Sequence, residues 1–263
     1  MVSGNQQQRY YGKYRGFVVD RADPENLCRL KLRVPSVLSD QVTNWALPCL
    51  PFGGTSDVGL VTVPEVGAQV WVEFEEGLIS NPIWVGTFWQ ASATVPENDQ
   101  EEPFRRTLKT PSGHSLVFDD EADQEQIRLE HNSGSKVTIA PNGTIQIEDT
   151  SPNTITLDTE NGMIQITDAN GNQLVMDSSG SKVEDSNGNT IEMTASGITL
   201  AGQKVVIDAP MVCLGGEGGE PVIKGQNFLT LFATHTHPTG VGPSGPPIPQ
   251  GEMSTLSVKV TTS

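Results

Sequence analysis

The sequence predicts an all-β chain in two parts, a small amino-terminal barrel followed by a long ladder of short strands, and three observations carry that expectation. Apolar and polar side chains alternate with period two in short segments along most of the chain, as in Ile127-Arg128-Leu129 and Ile164-Gln165-Ile166. Turn formers fill the gaps between segments, among them Asn142-Gly143, Asn161-Gly162, Asn170-Gly171 and Asn187-Gly188. The chain holds 27 Gly and 18 Pro in 263 residues, and helical periodicity is scarce.

Residues 1–9 are polar and read as a tail. They lack the apolar core of a secretory leader, and no apolar run approaches the ~20 residues of a membrane helix, so synthesis in a bacterial cytoplasm without a signal peptide is expected. The three cysteines, Cys28, Cys49 and Cys213, are odd in number and widely spaced, which suits free thiols in a reducing compartment. A formal charge of -16 argues against attraction to nucleic acid or an anionic bilayer.

Residues 10–90 supply the barrel. Gly16-Phe17-Val18-Val19-Asp20 and Cys28 to Val34 read as strands joined by a turn at Asp23-Pro24-Glu25-Asn26. Trp45 to Cys49, Gly59 to Val63, Gln69 to Phe74 and Ile83 to Gly86 supply the rest. Five or six strands in about 80 residues suit a small closed barrel of the OB type. Many OB barrels stack bases on aromatics, but residues 1–90 balance seven basic against nine acidic residues, and Trp71 and Trp84 lie within strand runs as core residues would. No nucleic-acid partner is expected. The order Pro51-Phe52-Gly53-Gly54, Pro64-Glu65-Val66-Gly67, Val70 to Glu75, then Asn81-Pro82-Ile83-Trp84-Val85-Gly86 resembles the OB domain of phage baseplate assembly protein V. That domain is shared by the central spikes of contractile injection systems, including the valine-glycine repeat proteins of type VI secretion. The resemblance implies a trimeric β-helical needle behind the barrel.

Residues 91–106 have linker composition, and the stretch is too short for the lysozyme that some phage relatives insert there. No Ser-His-Asp spacing or P-loop is present. Asp119-Asp120 and Glu101-Glu102 read as solvated turn carboxylates, and residues 240–245 fit GxGxxG only formally, because Pro246, Pro247 and Pro249 forbid a following helix. The chain is not expected to be an enzyme.

Residues 107–226 form the repeat, whose segments start about seven to eleven residues apart from Leu116 to Val205-Val206-Ile207. A single-chain β-solenoid needs roughly 20 or more residues per coil. One short strand per repeat cannot enclose a core, so three chains are expected to wrap about a common axis as an intertwined homotrimeric β-helix or β-prism. An ordinary β-sandwich of many short strands is the alternative. Between Leu116 and Ile223 stand 18 acidic and four basic residues, an outer face that keeps a β-rod soluble.

Residues 227–263 form the end of the chain. In Thr234-His235-Thr236-His237-Pro238, an extended backbone turns both rings to one side. One chain then offers only two imidazoles, whereas a threefold axis gathers six, enough for an octahedral shell around a borderline metal such as iron. The resemblance implies the same: HxH pairs near the carboxyl end of the baseplate V family bind one structural iron ion per trimer at the needle tip, which carries to His235 and His237 alone. His114 and His131 read as isolated turn residues. The Pro/Gly-rich run from Pro238 to Gly251 is expected to build the cap, with the alternating strand Leu256 to Val260 folding back on the shaft.

Together these readings describe a non-enzymatic central spike in a virion tail baseplate or related particle. It would dock on a trimeric hub protein, cross the target outer membrane during contraction, and leave room for a separate tip protein. The alternative is a trimeric tail fibre or adhesin that binds surface glycans; a glycan-degrading trimeric β-helix stands third.

Overall fold

The computed structural model describes residues 8–97, 102–213, 223 and 225–248. They fall in two compact units divided after Leu200. In the first unit, β1 (Tyr14–Asp20), β2 (Lys31–Arg33), β3 (Leu47–Pro48), β4 (Gln69–Phe74) and β5 (Pro82–Thr87) form a sheet in the order β2-β1-β4-β5-β3. Period-two alternation sorts its faces. In β4 the side chains of Val70, Val72 and Phe74 are buried while Gln69, Trp71 and Glu73 are half-covered on the outside. The inward set joins Val18, Leu30, Leu32, Val34, Ala46 and Trp84 in one core. Gly16 lets β1 lie close to β4, since a Cβ there would come within 2.7 Å of a Val72 methyl.

Polar groups tie the loops to this core. Asp23 is buried and accepts from the backbone amides of Glu25, Leu27 and Arg29 and from the Arg29 guanidinium, at 2.6 Å for the shortest bond. The Arg29 hydrogen bond, followed by those amides, holds its carboxyl well below the usual carboxylate range despite burial. The turn expected at 23–26 therefore carries the barrel's main polar staple. Trp84 is buried with its indole N–H donating to the Cys28 carbonyl at 3.1 Å, as expected of a core residue. Trp71 departs from expectation. It lies on the outer face, stacked on Phe88 at 4.7 Å with Arg15 above, because the register pairs Arg15 with Trp71 across β1 and β4. Gly59 to Val63, expected as a strand, makes none. Leu60 donates a bond to the Phe52 carbonyl, a loop contact outside the sheet.

Arg105 and Arg106, read as the end of the linker, open the second sheet. Eleven strands follow in simple meander order: β6 (Arg105–Lys109), β7 (Ser115–Asp119), β8 (Gln126–Glu130), β9 (Lys136–Ile139), β10 (Ile145–Glu148), β11 (Thr154–Asp158), β12 (Met163–Thr167), β13 (Gln173–Asp177), β14 (Gly180–Glu184), β15 (Thr190–Thr194) and β16 (Gly197–Ala201). Glu97 fastens the preceding segment to this sheet through Arg105, Lys109 and Arg128. Val205-Val206-Ile207, expected as a further strand, is unpaired among the described residues.

The register places nearly every large apolar side chain of the meander on one face. Leu116 opposes Leu129, which opposes Val137, and the row continues through Ile147, Ile155, Ile166, Leu174, Val183 and Ile191. A parallel row runs through Phe118, Ile127, Ile139, Ile145, Leu157, Ile164 and Met176. This face is bare: Leu129 is 56% exposed, Ile155 40% and Ile191 45%. The polar residues between them, such as Arg128, Thr156 and Gln165, are better covered than their apolar neighbours. Burial is thus inverted relative to a half-buried strand in a finished core.

One edge of the meander is stapled turn by turn. Asp149, Asp168 and Asp185 each accept backbone amides two and four residues on and pair with the side-chain amide of Asn153, Asn172 and Asn189. Each loop also reaches its neighbour. Asn153 Oδ1 accepts from the Ala169 amide at 2.9 Å and Asn172 Oδ1 from the Ser186 amide at 3.1 Å. Gly180 begins β14 at a φ of 144°, and a Cβ there would collide with the Met193 carbonyl.

Two predictions follow from these contacts. All four tryptophans lie between Trp45 and Trp89, so their fluorescence reports the barrel alone. Leu32→Ala, at a fully buried site, is expected to lower the barrel's stability in urea by about 2–5 kcal/mol. In the meander, the Asn172 side-chain and backbone amides hold the Asp168 carboxyl at about 2, below the ~3.9 of an unfolded chain. The unfolded state therefore takes up the proton first, and this contribution to stability is full above about pH 4 and fades as pH falls toward 2. The thermal midpoint by circular dichroism should drop over that window. Asp168→Ala should lower it at pH 7 and make the acid decline shallower.

Candidate metal centre

The second unit holds the histidine pair. A four-residue helix, α1 (Pro35–Leu38), follows β2 in the barrel, and an unexpected second helix, α2 (Gly225–Thr234), leads into the pair. Its interior carries no Gly or Pro, and Leu229, Leu231 and Ala233 are good helix formers, so local preference suffices to start it. The helix ends at the pair. His235 Nδ1 donates to the Phe232 carbonyl at 2.6 Å, satisfying one of the last carbonyls of α2.

That bond has a chemical consequence. With its proton on Nδ1, His235 presents a lone pair on Nε2, the arrangement an outer partner imposes on a metal-binding imidazole. His237 Nε2 lies 3.2 Å from His235 Nε2, with the ring planes 82° apart. Two nitrogens at ~2.1 Å from one ion, subtending an octahedral or tetrahedral angle, lie about 2.9–3.4 Å apart. The two residues therefore fit a shared ion. Among the described residues, no cluster of three or more His, Cys, Asp or Glu stands ready to hold a metal within one chain.

His237 is fixed from the other side by a hairpin. β17 (Pro238–Thr239) pairs with β18 (Gly242–Pro243), and the Thr239 hydroxyl donates to the Gly242 carbonyl. The His237 amide donates to Ser244 Oγ and the Ser244 amide returns a bond to the His237 carbonyl, both at 2.8 Å. Gly242 supplies the positive φ of 122° that the tight return needs. The glycine-rich run is thus a hairpin, and no helix follows it among the described residues. Phe232 and Ser244, which hold the pair in place, went unread in the sequence because both act through backbone contacts. Leu256 to Val260 lies outside the described residues.

Other candidates resolve differently. Asp119 is buried against Arg105 at 2.8 Å while Asp120 pairs with Arg106 at 2.6 Å, so the adjacent carboxylates serve separate ion pairs. Burial opposes ionisation of Asp119, but the Arg105 hydrogen bond and the Glu121 amide outweigh it and keep the carboxyl low. Glu101 lies outside the described residues. His114 and His131, read as isolated, stack on each other at 4.4 Å across adjacent turns, and each Nδ1 accepts a backbone amide, from Asn132 and Ser133.

Residues 14–89 match the family model of the type VI secretion system/phage-baseplate injector OB domain. Over these residues the barrel is similar to that domain. The resemblance read from the sequence holds over this domain, and two of its quoted motifs form β4 and β5 while the other two lie in loops. Gly67, at a φ of 88°, closes the Pro64 to Gly67 turn by donating to the Val18 carbonyl, and Asn81 accepts the Glu75 amide at the entry to β5. The chain is also similar to the actin cross-linking toxin VgrG1 of Vibrio cholerae serotype O1, with 30% identity over 110 residues, 38% of this chain. It spans about a tenth of that relative's length, 10%. Among solved structures, the TCP domain of SAS-4 (dCPAP) of Drosophila melanogaster, in complex with a proline-rich motif of Ana2, aligns with 42% of this chain and 97% of its own. Its TM-score is 0.23 at 14% identity. The G-box domain of the microcephaly protein CPAP aligns with 35% of this chain and 71% of its own, with a TM-score of 0.21 at 12% identity.

Proposed function

We propose that the chain is the central spike of a contractile injection machine, a phage tail or a related particle, working as a homotrimer and without catalysis. One observation carries the reading: a barrel similar to the injector OB domain is followed by a one-layer meander whose apolar face is largely uncovered in the single chain. An exposed patch of that extent marks an association surface. Three copies would turn their bare faces to a common axis and leave the polar faces in water, giving each strand the interior that one chain lacks.

The work of such a rod is mechanical. The OB domain would dock on a trimeric hub protein below the tube, and the shaft would carry the stroke to its tip and through the target outer membrane. His235 and His237 of three chains would hold one ion at the end of the rod, iron being a fit for six imidazoles. Its chemistry there is structural: six protein ligands leave no open position for a substrate. The Nδ1 bond to Phe232 and the Ser244 clasp support this by presenting two nitrogens before any ion arrives.

Sedimentation equilibrium of the purified chain should give three times the 28.2 kDa monomer mass, and elemental analysis about one iron per trimer. His235→Ala with His237→Ala should abolish the iron and leave the trimer mass unchanged. A compact, folded monomer would refute the spike. In electron micrographs the particle should taper; a knobbed end would favour a fibre instead.

A further inference from the structure

The helix α2 has no place in an all-β needle, and none of its residues is buried. Phe228 is 49% exposed, Leu231 70% and Phe232 42%. A lone helix of ten residues is marginal in water, so a face this apolar needs a cover. The two phenylalanines sit one turn apart with rings stacked at 6.1 Å, and Phe232 continues onto the His235 ring at 5.2 Å. The apolar stripe therefore runs without a break into the two imidazoles.

We infer that α2 is an interchain helix: three copies pack their Phe228 and Phe232 faces together next to the histidine pairs, and this apolar plug seats and dries the metal centre. This rests on the trimeric reading above. The occupant of the face is a second and third copy of this chain, for two reasons. Among the described residues one chain supplies only two ligands, so the centre is complete only when further copies reach it, and any symmetry that gathers His235 also gathers the Phe232 ring in contact with it. The helix also orients the ligand directly, because the Phe232 carbonyl fixes the His235 tautomer. Packing Phe232 thus sets the position and ring orientation of one ligand in each chain.

The opposite side of the helix gives the control. Thr230 and Gln226 lie about half a turn away, where Thr230 Oγ1 donates to the Gln226 carbonyl at 2.9 Å. With Cys28, Cys49 and Cys213 replaced by Ser in the full chain, Phe228→Cys and Thr230→Cys are treated separately with a short bismaleimide. Phe228→Cys should give covalent dimers on denaturing gels, and Thr230→Cys should not. Phe228→Asp with Phe232→Asp, in the native background, should retain the trimer mass but lose at least tenfold in iron content, whereas Thr230→Asp should keep its iron. A trimer in which neither cysteine cross-links, as when the carboxyl-terminal segment of the same chain covers the face, overturns the inference. So does one in which both cross-link equally, or in which the doubly charged variant retains iron. Monomeric protein in every background instead defeats the trimeric reading beneath it.

Discussion

A one-layer β-sheet has two faces and no interior. That constraint governs most of this molecule. The meander satisfies its backbone hydrogen bonds strand to strand, so nothing in its local chemistry requires a second layer. Its side chains are another matter. The register gathers isoleucine, leucine and valine on one side over eleven strands and leaves them in water. An apolar surface of this extent, left bare among the described residues, is the kind that packs against a partner.

The edge staples contribute to that arrangement. Long sheets of short strands are prone to slip, because a shift of one residue sends every apolar side chain to the wrong face. Here the loops are pinned individually by Asp149, Asp168 and Asp185 and to each other through Asn153 and Asn172. Gly180 adds a close approach to β15 that no side chain could tolerate. The opposite, polar face carries ion pairs such as Lys136 with Glu148 and Lys182 with Glu184, and these keep that surface wet. The two faces are thus committed to different fates before any partner arrives.

The barrel follows the other logic. It closes its own core around Leu32, Val72 and Trp84 and staples its loops with Asp23 and Arg29, so it is complete as a single chain. The Glu97 contacts with Arg105 and Arg128 fasten the connection to the start of the meander, so the segment of linker composition is held by charge. In the second unit, the His235 and His237 pair is held by contacts on both sides, from Phe232 and from Ser244.

Much of this was legible in the sequence, for a physical reason. Period-two alternation reports the two faces of a strand whatever covers them, so the meander, its turns and its apolar side could be read directly, as could the core placement of Trp84. The HxH spacing likewise brought two imidazoles to one side. What the sequence left undecided depends on contacts between distant residues. Trp71, set on the outer face between inward Val70 and Val72, meets Phe88 and Arg15 there, and Gly59 to Val63 joins no strand. His114 found His131 only because adjacent turns stack on one edge. The helix before the histidines combines ordinary helix formers with a terminal carbonyl that His235 captures, a bond invisible to periodicity. Local pattern determines which face a side chain takes; only the folded chain decides what lies across from it.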